Sequence, residues 1–356
     1  MTPNRARRRS RNRRSASSIN ERMRAVRLNE LGGPEKLHVE EIETPQPGPG
    51  EILVRIARAA FNRRDVFITQ NLYPGIVLPR TLGSDGCGSV AALGEGASGF
   101  AIGAKVVIDP ELGWNADGPL PETSGAILGM PHDGTFAEYV AVPAANVYPK
   151  PAPLSDDEAA AIPLAGLTAY RAAFTRGRLT KDDVVFIPGV GSGVQTFVLI
   201  YAKHAGARTI VTTGSEEKAE RARALGADVA IDYNADPDWH KSVRKAAGGG
   251  PTLTVDSTGG DTLAKALDIA RPGGRVVIYG GTRGDATIRP FSIFWKHLDV
   301  LGTSMGSPSD FRAMLKLFES GLKPVVDRTF AMDEAAAAAQ RVLDGKQFGK
   351  VVLALS

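Results

Sequence analysis

Val184-Val-Phe-Ile-Pro-Gly-Val-Gly-Ser-Gly-Val194 is the stretch of sequence that decides the fold of this chain. An apolar, β-branched run ends in three glycines at alternate positions, and residues 194–203 then have the composition of a helix. This pattern predicts a strand, a tight turn and a helix N-terminus, which together surround a pyrophosphate with backbone N–H groups. Glycine is needed because a side chain would hold the phosphate away from the backbone. We therefore predict a dinucleotide site with contacts from Gly189, Gly191, Ser192, Gly193 and Val194.

Strand and helix patterns alternate from about residue 150 onward. The strand-like runs are 184–188, 208–213, 229–232, 253–257 and 275–280. The helical runs between them are 193–205, 216–225, 238–247 and 261–270. This alternation predicts an α/β fold with a doubly wound parallel sheet. Before residue 150, short strand-like runs separated by Gly- and Pro-rich turns are typical of a β-barrel.

Composition narrows the class of protein. With 356 residues, of which 43% are hydrophobic and 23% charged, the chain is long enough for about two globular domains. The single cysteine, Cys87, excludes an internal disulfide and a zinc site built from several cysteines. It also fits a reducing compartment, and we expect a cytoplasmic protein. Apolar runs fall short of the ~20 residues needed to span a bilayer.

The positive charge of the chain is concentrated at its N-terminus. Residues 1–22 hold eight arginines and one acid, a net charge of +7, which leaves −3 of the formal +4 for residues 23–356. This tail lacks apolar periodicity and is predicted to be disordered. It could be a nucleic-acid-binding arm, a targeting peptide or an extension without a chemical role. We favour the last and expect no nucleic acid as a partner of the folded body.

Several motifs, taken together, carry a resemblance to a known family. They are Pro47-Gly-Pro-Gly-Glu51, Asn62-Arg-Arg-Asp65, Leu72-Tyr-Pro74, Gly83-Ser-Asp-Gly-Cys-Gly-Ser-Val90, Gly134-Thr-Phe-Ala-Glu-Tyr139, Pro163-Leu-Ala-Gly-Leu-Thr-Ala-Tyr170, the glycine turn and Leu225-Gly-Ala227. Over about residues 23–356 the chain resembles the medium-chain dehydrogenase/reductase superfamily, in particular its zinc-free, quinone-oxidoreductase-like branch.

The resemblance implies two domains and an oligomer. A GroES-like catalytic domain is expected over residues 23–150, completed by about 325–356, with a Rossmann dinucleotide-binding domain over 151–324. Homodimers or homotetramers are implied, with residues 297–304 as the contact strand.

At Gln195 relatives often carry the last glycine of the turn, which allows close approach of helix and strand. We expect a slightly displaced helix here, or a side chain turned outward.

Zinc-dependent members of the superfamily share this fold, but this chain differs from them at the positions of their zinc ligands. Their first ligand is a Cys three residues before Asp, where this chain has Asn62, and their Gly-His-Glu is Gly83-Ser-Asp85. The region 111–131, which would hold four structural cysteines, contains none. The five histidines are scattered and form no pair at helical spacing. Because a catalytic zinc needs Cys, His or acidic ligands, we predict that this chain has no zinc site of the family type.

The cofactor predicted from these residues is NADPH. An acidic side chain about 20 residues after the glycines would bind the ribose of NAD, but the run Thr209-Ile-Val-Thr-Thr213 ends without one. A Thr213 hydroxyl can donate to a 2′-phosphate, and Lys218 can supply a positive charge. The resemblance adds Ser215 and Tyr233 to this pocket. An exposed lysine on a solvated helix remains the alternative for Lys218.

Other positions are assigned to the cofactor by the resemblance or by their place after a strand. Gly280 and Thr282 follow the strand-like run 275–280 and are expected on the nicotinamide side. Thr168 matches a cofactor-contacting position in relatives. Asp256 could face a ligand at a strand end or cap the next helix.

The chemistry has fewer markers. Tyr73 falls where relatives line the substrate cleft, so its phenol could donate a proton, or it could be a packing aromatic. Asn62 could orient a substrate oxygen; Arg64 could do the same, although we favour a surface role for it. We predict hydride transfer from NADPH to a quinone or an α,β-unsaturated carbonyl, since acceptors activated by conjugation need no Lewis acid. The alternatives are a metal-free alcohol or carbonyl dehydrogenase and a non-catalytic NADPH-binding sensor or nucleic-acid binder.

Overall fold

The computed structural model describes residues 19–114 and 116–355. Most of the arginine-rich tail, and the disorder predicted for it, therefore lies outside the described residues. The strands are β1 (Arg22–Leu28), β2 (Leu37–Glu43), β3 (Glu51–Ala60), β4 (Arg80–Thr81), β5 (Asp85–Leu93), β6 (Lys105–Ile108), β7 (Tyr139–Pro143), β8 (Val147–Pro149), β9 (Val184–Ile187), β10 (Arg208–Thr213), β11 (Val229–Asp232), β12 (Leu253–Asp256), β13 (Arg275–Ile278), β14 (Asp299–Gly302), β15 (Val326–Ala331) and β16 (Lys350–Ala354).

Ten α-helices connect and cover these strands in the described part of the chain. They are α1 (Arg63–Thr69), α2 (Asp156–Ala161), α3 (Pro163–Tyr170), α4 (Gly193–His204), α5 (Glu216–Ala224), α6 (Trp239–Ala246), α7 (Gly260–Ile269), α8 (Pro290–Phe294), α9 (Pro308–Glu319) and α10 (Ala335–Leu343). A π-helical turn, Arg171–Arg176, continues α3.

The predicted parallel sheet is confirmed. Its six strands lie in the order β11-β10-β9-β12-β13-β14, and every neighbouring pair is parallel. β9 lies inside the sheet, which suits its sequence: Val185, Phe186 and Ile187 make both faces of the strand apolar, and all three are fully buried. β10 follows β9 on one side of it and β12 lies on the other, so the strand order reverses there. Ligands of open α/β sheets bind at the carboxyl ends of the strands beside this reversal.

The β-rich part contains two sheets. One has seven strands in the order β15-β16-β3-β5-β6-β8, with β7 also paired to β3, and the other is β2-β1-β4. The C-terminal strand β16 returns to pair antiparallel with β3, with Val352 opposite Ala60. β5 packs tightly against β3, since a Cβ on Gly88 would lie 2.0 Å from the Arg55 carbonyl oxygen.

Helix α3 connects the two parts of the molecule close to the site. Its backbone N–H at Leu164 donates to Asp85 Oδ1 at 2.7 Å, and Tyr201 on α4 donates its hydroxyl to the Gly166 carbonyl. The start of β5 and the C-terminal half of α4 are thus both held against one helix. No helix in the described ranges combines the length and hydropathy needed to cross a membrane.

Candidate functional site

A cleft of about 1080 Å³ lies between the carboxyl ends of the parallel strands and the β-rich part. All fourteen candidate residues line it: Asn62, Tyr73, Thr168, Gly189, Gly191, Ser192, Gly193, Val194, Thr213, Ser215, Lys218, Tyr233, Gly280 and Thr282. Residues from separate motifs are therefore brought to one place by the fold.

The glycine turn has the geometry that a phosphate group needs. Gly189 and Gly191 have φ of 75° and 116°, a backbone region that favours glycine. Ser192 is the N-cap of α4 but makes no side-chain capping bond. The N–H groups at a helix N-terminus lack partners within the helix and carry a partial positive charge. A pyrophosphate fits these groups without displacing an existing side-chain cap.

The expectation that Gln195 turns outward is wrong. Its side chain is buried, and Nε2 donates to the carbonyl oxygens of Pro188 and Val255 at 2.8 and 2.9 Å. These carbonyls stand at the ends of neighbouring strands. The amide therefore connects β9, β12 and α4, where relatives bring helix and strand together through glycine.

The end of β10 holds the residues predicted for a 2′-phosphate. Ser215 is the N-cap of α5 and accepts a bond from the Lys218 backbone N–H. The Thr213 hydroxyl donates to the Val190 carbonyl at 3.0 Å, so its proton is used within the protein. Tyr233 packs against Gly214, and the Arg283 guanidinium lies 5.5 Å from its ring centroid. Arg283 is a cation beside this pocket that the sequence motifs did not single out.

Lys218 points toward the C-terminal part of the chain. Its Nζ donates to the Gly345 carbonyl, and burial lowers its pKa from the ordinary value. Gly349 N–H donates to the Gly191 carbonyl at 3.0 Å, so residues 345–349 lie beside the glycine turn. Lys346 in this segment also lines the cleft.

On the other side of the cleft, Thr282 is fixed by two bonds to the Ser257 carbonyl. The Thr168 hydroxyl donates to Leu164 within α3, and its Oγ1 lies 3.9 Å from Met305 Sδ. Asp256 is fully buried and accepts from the backbone N–H groups of Thr258 and Gly259. Both N–H groups belong to the loop before α7, which begins at Gly260, so these bonds hold that loop and do not cap the helix.

Two buried cations contact the positions where zinc-dependent relatives carry ligands. Lys350 Nζ lies 2.6 Å from Asn62 Oδ1 and 2.7 Å from Asp85 Oδ2, and Asn62 Nδ2 donates to the same carboxylate. Arg64 Nη1 donates to Ser84 Oγ at 2.7 Å. Both cations are almost fully buried, Arg64 at 7% and Lys350 at 2% exposure.

The surface role favoured for Arg64 is therefore wrong. Asn62 caps α1, and this turns the second helical residue, Arg64, into the protein. There it donates to the carbonyls of Leu128 and Met130 and to the phenol oxygen of Tyr73 at 3.4 Å. The guanidinium also lies 4.9 Å from the Tyr73 ring centroid.

The side chains around these positions do not form a donor set for a metal ion. Among residues 19–114 and 116–355, no group of three or more His, Cys, Asp or Glu side chains is arranged to hold one. Cys87 is buried, and burial raises the pKa of its thiol to about 12, which disfavours the thiolate that binds zinc. Asn62 and Ser84 are neutral oxygen donors already bonded to cations, and a second positive ion between them would be repelled.

Sequence reasoning missed Lys350, whose signal was a lysine opening the otherwise apolar run Lys350-Val-Val-Leu-Ala354. It also missed Glu111. Burial raises the pKa of Glu111 to about 7, and the Arg64 charge lowers it. The pKa of Asp65, the residue after Arg64, responds in the same way: burial raises it to about 6, and the Arg64 charge lowers it.

Comparison with known proteins finds two family models in this chain. The family model "Alcohol dehydrogenase GroES-like domain" matches residues 48–152, and "Zinc-binding dehydrogenase" matches 193–320. The chain is 35% identical to a zinc-type alcohol dehydrogenase-like protein of Leptosphaeria maculans, over 89% of this chain and 94% of the relative. It is 27% identical to a human quinone oxidoreductase, over 94% and 98%.

Solved structures agree in fold. A crystal structure of an NAD-dependent alcohol dehydrogenase superposes with a TM-score of 0.87 at 39% identity, covering 94% of this chain and 100% of the other. A 2-octenoyl-CoA carboxylase reductase in complex with NADP and 2-octenoyl-CoA gives a TM-score of 0.86 at 25% identity, covering 95% and 89%. On these matches and on its two-part architecture, the chain belongs to the medium-chain dehydrogenase/reductase superfamily, whose members are oxidoreductases that use a nicotinamide cofactor.

Proposed function

We propose that this protein is a zinc-independent, NADPH-dependent oxidoreductase that reduces a quinone or an α,β-unsaturated carbonyl compound. The observation that carries the proposal is the replacement of metal ligands by Asn62 and Ser84, each bonded to a buried cation. Asn62 and both cations, Lys350 and Arg64, line the same cleft as the glycine turn. A conjugated acceptor is already activated for hydride addition, so hydrogen bonds and positioning are sufficient.

The preference for NADPH is supported by charge. β10 ends in Thr213 without an acidic side chain, and Lys218, Arg283 and Lys346 line the same end of the cleft. Positive side chains there favour a phosphorylated ribose. Relatives include proteins named quinone oxidoreductase and acryloyl-coenzyme A reductase, and structures with bound NADP.

The roles of the chain's own residues follow from their positions. Gly189, Gly191 and the α4 N-terminus bind the pyrophosphate through backbone N–H groups. Bound nicotinamide supplies a hydride to the acceptor. Tyr73 donates a hydrogen bond to the acceptor oxygen from the opposite wall, while the Asn62, Lys350 and Asp85 network keeps that wall rigid.

The test is NADPH oxidation with a panel of quinones, enones and simple aldehydes, repeated with NADH and with a chelator. We expect turnover with conjugated acceptors, a preference for NADPH and no effect of the chelator. Stoichiometric zinc in the purified protein, or inactivation by the chelator, would refute zinc independence.

A second candidate is a metal-free alcohol or carbonyl dehydrogenase. It is favoured by the 39% identity to the NAD-dependent alcohol dehydrogenase structure. Faster oxidation of an alcohol with NAD than reduction of any conjugated acceptor with NADPH would select it.

A further inference from the structure

Arg64 and Lys350 are both buried cations, but their charges are balanced differently. Lys350 Nζ contacts the carboxylate of Asp85 at 2.7 Å, which neutralises it locally. In the described part of the chain, the polar partners of Arg64 are neutral oxygens: Ser84 Oγ, two backbone carbonyls and the Tyr73 phenol. A buried charge with neutral partners exerts a stronger field than one that is paired at contact distance.

Two acids interact with Arg64 at a distance but do not contact it. Asp65 accepts from the Asn62 backbone N–H, and Glu111 accepts from the Gly113 backbone N–H. Burial raises the pKa of both carboxyls, and the Arg64 charge lowers both. The groups that Arg64 touches are therefore neutral oxygens, and Tyr73 is one of them.

Tyr73 is the neighbour of Arg64 that can pass this field to a ligand. Its phenol oxygen accepts the Arg64 Nε–H, so its own proton must point away from the guanidinium. Tyr73 lines the cleft, and within residues 19–114 and 116–355 its O–H proton has no acceptor. Nη1 donates to Ser84 and Leu128, and Nη2 donates to Met130, which fixes the orientation of Arg64.

We infer that Arg64 is a positioning residue that holds Tyr73 as the proton donor and stabilises the negative oxygen formed on the substrate. The inference rests on the proposed function. When a hydride adds to the β-carbon of an enone, the carbonyl π electrons move to oxygen and an enolate forms. The Tyr73 O–H bond breaks and its proton bonds to that oxygen. The phenolate left behind is stabilised by Arg64 and takes a new proton from water.

The first test needs neither cofactor nor turnover. 4-Nitrophenol is a probe of sites for a negative oxygen, since its visible absorption distinguishes phenolate from phenol. We expect the cofactor-free protein to bind it as the phenolate. Arg64→Met and Tyr73→Phe should each weaken binding roughly 10- to 100-fold, in line with the loss of a charge-assisted hydrogen bond. Arg64→Lys should recover part of the loss. Arg55→Met, at an exposed position on β3, makes the same charge change and should bind normally.

The second test is a double-mutant cycle on turnover. Arg64→Met and Tyr73→Phe should each lower kcat roughly 100-fold, the usual effect of losing one donor to a negative oxygen. If Arg64 acts through Tyr73, the double variant should be no slower than the slower single variant. KM for NADPH should not change, which separates this role from misfolding.

The outcomes distinguish the two proposals. If the fold-loss in kcat of the double variant equals the product of the two single losses, Arg64 does not act through Tyr73, and its proposed role is overturned. Equal 4-nitrophenol binding by wild type and Arg64→Met would also overturn it. Absence of 4-nitrophenolate binding by wild type would overturn it as well. A wild-type protein that binds the phenolate through Arg64 but reduces no quinone or enone would keep the negative-oxygen site and reject the proposed function. If Arg64→Met does not fold, Arg64→Lys and Tyr73→Phe decide the cycle.

Discussion

Lys350 and Asp85 form an ion pair with almost no exposure to solvent, 2% and 0% of their side chains. Removing one partner leaves the other charge buried and uncompensated, which typically costs about 3–5 kcal/mol. We predict a loss of this size in the free energy of unfolding for Lys350→Met. Lys350→Met with Asp85→Asn should recover much of it. Urea unfolding measures the stability of both variants. The control is Lys323→Met, which removes a lysine of the same charge from an ion pair at the surface. If the double variant loses as much free energy of unfolding as the two single variants together, the pairing is contradicted.

Lys218 is the residue that we expect to distinguish the two cofactors. A hydrogen bond to a charged group contributes about 1.5–3 kcal/mol, so Lys218→Ala should raise KM for NADPH roughly 10- to 100-fold. KM for NADH should stay close to that of wild type, because NADH carries no 2′-phosphate. Steady-state kinetics with both cofactors test this, with Lys203→Ala on α4 as the control. Equal losses with both cofactors would mean that Lys218 supports the fold instead.

Glu111 makes stability depend on pH. Burial raises its pKa in the folded protein from 4.5 to about 7. The unfolded chain therefore ionises first, and the stabilising contribution, complete below about pH 4.5, is lost as the pH rises through about 7. Glu111→Gln should reduce this loss by up to about 3 kcal/mol between pH 4.5 and 8. Chemical unfolding at several pH values measures it, with the exposed Glu95→Gln as the control. Parallel profiles for wild type and Glu111→Gln would contradict the assignment.

Among the elements, β14 is an edge strand with exposed apolar side chains. Val300 on it is 38% exposed, and Phe291, Phe294 and Trp295 in and after α8 are 58–68% exposed. An uncovered edge strand tends to pair with another chain, which agrees with the oligomer that the family resemblance implies. Val300→Asp should convert a dimer to a monomer in light scattering, whereas Val77→Asp, at an exposed site outside this edge, should not. An unchanged mass for Val300→Asp would place the contact elsewhere.

The elements of the parallel sheet could be predicted because each one has its own local signal. The apolar run before Gly189 predicts a buried strand, and the helical run after it ends within one residue of the observed α4. Contacts between elements carried no such signal. The inward turn of Gln195 depends on the carbonyl of Val255 in another strand. The burial of Arg64 depends on backbone carbonyls more than sixty residues away.

At the scale of the whole molecule, the described lining of the cleft extends from Phe61 to Val351. The arginine-rich tail is thus far in sequence from every candidate residue. We predict that deletion of residues 1–18 leaves turnover and cofactor affinity unchanged. Any binding of nucleic acid should fall and become less sensitive to salt. Steady-state assays and nucleic-acid titrations at two salt concentrations test this. A deletion that abolishes turnover would show a role in catalysis that the cleft does not indicate.

The fold class and the place of the glycine turn could therefore be inferred from the sequence, since the turn and the strand and helix beside it are local. The acceptor end could not, because Asn62, Asp85 and Lys350 meet only when β16 pairs with β3. A lysine at the start of an apolar strand does not by itself indicate a buried charge, since Lys105 opens β6 in the same way and is exposed. The burial of Lys350 and its partner both depend on the strand register.

The return of β16 has a consequence during synthesis. Lys350 lies on the last strand described, and it neutralises Asp85 on a strand that leaves the ribosome much earlier. Since domains generally fold as they emerge, the nascent polypeptide must wait with a buried carboxylate uncompensated, or with β5 still open, until residue 350 has left the ribosome. The wall of the cleft around Asn62 should therefore take its final form only after β16 has been synthesised.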